Sequence, residues 1–391
     1  MPKNLCRIKK LGVFLAFILL ISSLSSCAKA DSGAVTEAEA ISLHTNEGVS
    51  SKAPEVSAKA AIGIEASSGE IFFQKNIDQR LPMASTTKIM TAIVALEYGN
   101  LSDNVKIDRR AVGIEGSSIY LYEGEILTLS ELLYATLLSS ANDAATAVAI
   151  HIGGDVDTFV DMMNQKAGEL GLDDTHFDNP HGLDGDEHYT TARELGIIAM
   201  HAMKNPTFRE IVSTYRETIP MRCGEGVRLL INHNKLLRSY DGAIGIKTGY
   251  TKKSGRCLVS ASSRDGVELI CVTLDAPSDW QDHTSILDFG NSLYETKSLA
   301  IAGSSPISLP VCGGDLNEIP LTVQNEITIS VRRDSEIKAI IEAPRFLYAP
   351  VTDKTVVGKI IFIQDERVIA ESPLITSGSI TRIKNNAIFG R

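Results

Sequence analysis

The sequence predicts an α+β domain followed by a smaller all-β domain, and three observations predict it. Helical apolar periods fill the middle of the chain, while the stretches AIGIKTGYT, GRCLVSASS and VELICVTLD read as three successive antiparallel strands. Beyond about residue 300, alternations such as EITISV, KAIIEA and KIIFIQ replace every helical period. Strands at both ends of a helical stretch imply a sheet covered by helices.

Taken in order, the chain opens with Lys3, Arg7, Lys9 and Lys10, an apolar run from Leu11 to Leu24, and small residues. That is the layout of a secretory signal peptide, and the run is short for a spanning helix. Residues 1–30 are read as this leader, cut after Ala28-Lys29-Ala30; Leu24-Ser25-Ser26-Cys27 also resembles the box before a lipidated cysteine, with Ser26 an imperfect fit. Residues 31–57 are small, polar and aperiodic, and are read as a flexible linker. The first domain is placed at 58–298. It starts with a hairpin signal around Ser67-Ser68-Gly69 and continues into MASTTKIMTAIVAL, Met83 to Leu96, a polar start running into an apolar helix. From Ser130 to Gly154 an apolar helical stretch is interrupted by a polar patch at Ser139 to Asp143, which at that depth needs a reason. A Gly-, Asp- and His-rich loop, 171–191, precedes the helix ARELGIIAMHAM, and SILDFGNSLYET reads as a closing helix. The β-rich domain is placed at 299–385.

With 391 residues, 43% of them hydrophobic and 22% charged, the chain is neither disordered nor a multi-span membrane protein. Removing the leader takes away five basic residues and no acid, which shifts the formal charge from −10 to −15 and argues against nucleic acid as a partner. Cys6 and Cys27 belong to the leader. Of Cys223, Cys257, Cys271 and Cys312, only Cys257 and Cys271 flank a turn signal; a disulfide between them is the lesser alternative to two buried thiols. No CxxC or His/Cys cluster suggests a metal.

Ser85 and Lys88, three apart at a helix start, share one face, so the amine can lie beside the hydroxyl while the helix N-terminus offers N–H donors to an oxyanion. A lone SxxK is weak: Ser335 to Lys338 also matches, inside a strand-like alternation, and the bland alternative for Ser85 is an ordinary helix cap. Partners decide. Lys247-Thr248-Gly249 is the only KTG and ends a strand signal. For an SxN element, Ser102-Asp103-Asn104 lies at a turn, whereas Ser140-Ala141-Asn142 lies in the unexplained polar patch, and the latter is taken.

With SxxK, SxN and KTG in order, the chain resembles the serine D-alanyl-D-alanine carboxypeptidases, the low-molecular-mass penicillin-binding proteins. HGLD at His181 to Asp184, NHNKLL at Asn232 to Leu237 and GIKTGYT at Gly245 to Thr251 extend the resemblance. It implies a β-lactamase/transpeptidase-like fold and removal of the terminal D-alanine from peptidoglycan pentapeptide stems. Ser85 is then the acyl-ester nucleophile, Lys88 the general base and Ser140 the proton relay. Asn142, Lys247, Thr248 and Gly249 bind substrate, and the backbone N–H groups of Ser85 and Tyr250 form the oxyanion hole. It further implies covalent capture of β-lactam antibiotics, no cofactor, a monomer, and an exported enzyme of the cell envelope or exterior. Whether the C-terminal tail SGSITRIKNNAIFGR touches the membrane stays open, because its apolar spacing is marginal.

Two departures stand out. Family members grip the terminal carboxylate with arginines where this chain has His233 and, past the KTG hairpin, Asp282; Arg256 is a weak substitute. The loop near His181 also lacks the Glu-x-x-Leu-Asn pattern of class A β-lactamases, and His181 is expected to order loop backbone rather than border the cleft. A β-lactamase and a non-catalytic wall-peptide binder are the rival readings. The missing glutamate and the additional β-domain disfavour the first, and the intact motifs disfavour the second.

Overall fold

A computed structural model describes residues 41–43, 52–221 and 226–383. The leader with Cys6 and Cys27, Cys223, and the last eight residues of the tail lie outside the described residues.

The first domain is built on a five-stranded antiparallel sheet whose strands are β2 (Ala60–Glu65), β3 (Ile71–Lys75), β8 (Ala243–Thr251), β9 (Gly255–Arg264) and β10 (Val267–Leu274). Their order across the sheet is β3-β2-β10-β9-β8. The Ser67-Ser68-Gly69 signal makes the β2–β3 hairpin, and the three later strand signals make the β8–β9–β10 meander. Side-chain alternation splits the sheet into two apolar faces. Ile62, Ile64, Ile270 and Val272 face the main helical core, whereas Ala61, Leu269 and Cys271 face a second cluster with Ile286 and Leu287. The helix supplying that second cluster is Asp279–Leu293. Both faces being covered explains why these strands carry so few charges.

The helical half comprises α1 (Lys88–Tyr98), α2 (Leu129–Leu138), α3 (Asn142–Gly153), α4 (Val156–Glu169), α5 (Ala192–Met203) and α6 (Pro206–Ser213). The interrupted helix of the sequence is thus two helices. Ser140, at φ 57°, cannot continue a right-handed turn, so α2 ends and α3 restarts at Asn142. A Thr128–Glu131 capping box starts α2. A hairpin of β6 (Arg216–Pro220) and β7 (Val227–Ile231), without a clear sequence signal, is tied to this half by Arg228. That guanidinium meets the buried Glu125 carboxylate at 2.6 Å and donates to the Ile119 carbonyl at 2.9 Å. A short helix, α7 (Leu236–Ser239), leads into β8, and the long helix Asp279–Leu293 is α8.

The second domain is all-β, with a core of its own that includes Leu321, Val331, Ile337 and Leu374. Its first strand, β11 (Tyr294–Ala300), pairs with Ile327–Arg332. The closing-helix signal therefore ends at Leu293, and β pairing begins before residue 299. Arg332 joins the domains through Glu70 at 2.9 Å.

The expected linker also differs from a free tether. Residues Ile41–Leu43 pair with the strand Ile337–Glu342, and Ser57 is tied to the first domain by Asp282. Cys257 and Cys271 are free thiols, because the register sets Cys257 opposite Gly249 and Cys271 opposite Ser260. No helix among the described residues is long and apolar enough to cross a membrane.

Candidate active site

Ser85 lies in a single 3-10 turn, Ala84–Thr87, that feeds α1. Thr86 and Thr87 donate their hydroxyls back to the carbonyls of Met83 and Ala84, which spends the polar side chains of the turn locally. Ser85 caps nothing. Its Oγ accepts from Lys88 Nζ at 3.0 Å and donates to the His181 carbonyl at 3.4 Å. Apolar IMTAIVA buries the rest of α1, so the pair is held on a rigid element.

Lys88 is fully buried, and its ammonium also donates to Asn142 Oδ1 and to the His181 carbonyl, both at 2.6 Å. Burial, and then the charge of Lys247, hold its pKa well below the usual lysine range, against a smaller opposing pull from Asp143. Lys247, on β8 and equally buried, donates to the Thr248 carbonyl at 2.9 Å. Burial brings it down to about 7. Each buried amine lies in the other's field, so the pair resists carrying two positive charges at once.

Asn142 is fixed from three sides. Its amide donates to the Ser117 carbonyl at 2.7 Å, its Nδ2 to the Glu115 carbonyl at 2.5 Å, and its Oδ1 faces Lys88. Gly116, at φ 93°, permits this approach, since a Cβ there would lie 2.7 Å from Asn142 Nδ2. Asp143 folds the same loop by accepting from Ser118 Oγ and the amides of Ile119 and Leu121. Ser140 is buried two residues earlier in the left-handed region, and its hydroxyl makes no hydrogen bond among the described residues. Together with Ala84 at φ 48°, it is one of two strained non-glycine residues beside Ser85 and Lys88.

The loop around His181 bridges the two walls. On one side Thr91 donates to the Pro180 carbonyl at 2.5 Å, and Thr87 Oγ1 meets His188 Nε2 at 2.7 Å. On the other, Thr251 donates to Asp184 at 2.8 Å and Lys253 to the Gly185 carbonyl at 3.1 Å. His181 Nδ1 accepts from the Leu183 amide at 3.3 Å, so the ring orders its own loop while its carbonyl receives Lys88. Burial, then Lys88 and His188, push His181 down to about 3, and burial takes His188 to about 4, so both stay neutral.

β8 is the outer strand of its sheet and presents an unpaired edge. Gly249 lets that edge reach the turn of Ser85, for a Cβ there would lie 3.0 Å from the Ser85 nitrogen. Thr248 is half-buried beside it, and the Tyr250 side chain is 66% exposed at the rim.

The other candidates fall elsewhere. Ser102 bonds Asn100 in an exposed turn, and Ser335 bonds Asp365 in the second domain. Asp282 is buried on α8, where its carboxylate accepts from Ser57 and Ala58. Arg256 pairs loosely with Asp279 at 3.6 Å. His233 is exposed between two buried asparagines, and its amide donates to the Leu138 carbonyl, next to the Ser140 segment. Although the residue as a whole is exposed, partial desolvation of its ring, then the charges of Lys247 and Lys88, lower its pKa. No motif in the sequence signals the parts played by Gly116, Asp143 and His188; the adjacency of Asp143 to the SxN element is the nearest hint.

Comparison with known proteins adds independent findings. A model of the family "D-alanyl-D-alanine carboxypeptidase" matches residues 47–278, and one for the C-terminal domain of penicillin-binding protein 5 matches residues 294–382. The chain is 33% identical over 328 residues to the D-alanyl-D-alanine carboxypeptidase DacF of Bacillus subtilis, covering 81% of this chain and 84% of that protein. It is 32% identical to DacA of Haemophilus influenzae, covering 86% and 88%. The crystal structure of penicillin-binding protein 5 from Haemophilus influenzae superposes with a TM-score of 0.64 at 28% identity, over 85% of this chain and 100% of that one.

Proposed function

Because the chain belongs to the D-alanyl-D-alanine carboxypeptidase family and is a serine carboxypeptidase, we propose that Ser85 carries its acyl-enzyme and that peptidoglycan stem peptides are its substrate. The observation that carries the reading is a buried amine with a lowered pKa 3.0 Å from a hydroxyl that caps no helix. An unperturbed lysine is neutral in only about one part in 2,500 at pH 7, so the burial of Lys88 supplies the base. Lys88 Nζ takes the Ser85 proton as Oγ attacks the carbonyl between the two D-alanines. The N–H groups of Ser85 and Tyr250 receive the oxyanion at the meeting of turn and edge strand. Ser140, whose hydroxyl is unspent, passes a proton to the leaving amine. Water then hydrolyses the ester and frees the enzyme. A β-lactam carbonyl would enter the same place and acylate Ser85. An envelope location fits this chemistry.

Mature protein should release D-alanine from diacetyl-L-lysyl-D-alanyl-D-alanine and take up one equivalent of fluorescent penicillin. Ser85→Ala should lower release by about 10⁴-fold or more and abolish labelling. A folded wild-type protein that releases nothing would sink the proposal.

For the terminal carboxylate the cleft offers Lys247, Thr248 and His233. Asp282 is spent on Ser57, and Arg256 is drawn loosely toward Asp279. A neutral imidazole gives one N–H where a guanidinium gives a charged fork. His233→Arg should therefore lower KM by about three- to tenfold with kcat within about twofold. Steady-state kinetics on the same tripeptide checks this, and an unchanged KM removes His233 from the carboxylate site.

A further inference from the structure

One end of the second domain's sheet lies far from the first domain. Strands Val356–Gln364 and Arg367–Thr376 pair along their length, with Gln364 opposite Arg367 at one end and Val356 opposite Ile375 at the other. Gln364 donates to the carbonyl of Arg332, the residue that joins the domains through Glu70. At about 3.3 Å per residue, the strand sets its Val356 end roughly 25–30 Å from that joint.

Three loops meet at this far end. They close on Gly314, which is buried and where a Cβ would collide with Ile380 Cγ2 and lie 3.3 Å from Ala349 Cβ. The Ile383 amide donates to the Gly313 carbonyl and the Ala349 amide to the Cys312 carbonyl, while Tyr348 stands beside Cys312 in parallel register. These loops carry Leu316, Phe346, Tyr348 and Ile383, all large, apolar and 40% to 72% exposed. Phe346 and Tyr348 meet edge to face with centroids 5.1 Å apart, so they order each other at the surface instead of entering the core. Arg345, Lys354 and Arg382 are exposed around them, and none holds a carboxylate among the described residues. The nearby acids are mostly committed. Asp315 accepts from the amide and hydroxyl of Thr381, Asp353 from the Gly378 amide, and Glu342 meets Lys359 at 3.8 Å, which leaves Glu318 at the foot of its loop.

We infer that this end of the second domain is a docking surface for an anionic lipid bilayer. Leu316, Phe346, Tyr348 and Ile383 enter the headgroup boundary, and Arg345, Lys354 and Arg382 meet the phosphates. Aromatic rings among aliphatic side chains, flanked by unpaired cations, match the chemistry of a membrane interface, apolar below and anionic above. Side chains raised on separate loops suit a fluid surface, which needs no matching shape, whereas a protein partner or a second copy needs a closely packed face. The sequence that follows Ile383, KNNAIFGR, continues the same mixture of cations and large apolar residues from the same place. The inference goes beyond the carboxypeptidase reading and does not depend on the chemistry at Ser85.

Sedimentation with lipid vesicles tests it. Mature protein should bind vesicles of phosphatidylglycerol and phosphatidylcholine in equal parts, and about tenfold more weakly those of phosphatidylcholine alone. Leu316→Ser/Tyr348→Ser should weaken binding to the mixed vesicles by about tenfold or more with an unchanged circular dichroism spectrum, since both side chains are exposed. A chain ending at Ile383 should bind within about fivefold of the full chain. A wild type that stays in solution, or a double variant that binds as well as wild type, overturns the inference. So does complete loss of binding in the shortened chain, which would put the contact in the last eight residues. A dimer in solution that the double variant abolishes, without vesicle binding by wild type, would assign the surface to a second copy and overturn it too.

Discussion

Lys88→Met should reduce both D-alanine release and penicillin acylation by about 10³- to 10⁴-fold, the range expected when a general base is removed. Methionine has nearly the volume of the lysine stem, so α1 should keep its packing. The Asn142 and His181 acceptors lose their shared donor, which costs about 1–3 kcal/mol for each one left unsatisfied. Loss of activity should therefore exceed any loss of fold, as circular dichroism and single-turnover labelling on one sample would show. The wild-type pH profile carries the same argument with a sign. Lys88 must be neutral, so kcat/KM rises as pH climbs through its lowered pKa. Lys247 must be charged to meet a carboxylate, so kcat/KM falls again above about pH 7 in the free enzyme. An acylation rate rising only toward pH 10 would show that Lys88 is not desolvated in solution.

Gly182→Ala should be the most damaging single methyl group in the first domain. Gly182 has φ 90°, and a Cβ there would lie 2.0 Å from the Ala84 carbonyl oxygen and 2.9 Å from the Ser85 nitrogen. Both contacts are backbone, so neither can rotate away. The loop or the nucleophile turn must move, with an expected loss of about 2–4 kcal/mol in stability and about 10²-fold in acylation. Gly124→Ala is the control. It has φ 84° but nothing within 4 Å, so it carries the backbone strain without the collision. Equal losses of stability and of labelling in the two variants would show that the contact with the nucleophile turn is immaterial.

The fold class and the order of the site were legible because they are written in short-range patterns. Period-2 alternation marks β8, β9 and β10, and an i, i+3 spacing puts Lys88 beside Ser85 on one helical face. The β6–β7 hairpin lacked such a pattern. Its outward residues Val227, Leu229 and Ile231 are apolar yet exposed, which inverts the usual alternation, and its attachment through Arg228 to Glu125 is a contact between distant segments. Strand β11 was hidden likewise, since YETKSLA continues the closing helix without a break in composition.

The sequence by itself determined which groups are present: a hydroxyl, two amines, an SxN element and a strand carrying the glycine of KTG. The tertiary structure decided what they can do. Lys88 meets Asn142 from 54 residues away and the His181 carbonyl from 93, and its proton affinity is set by burial and by Lys247. Desolvation and through-space charge depend on which segments close around an atom, and no local spacing encodes that closure. The same closure explains why Asp282, which the sequence leaves at a binding position, is a buried brace for Ser57.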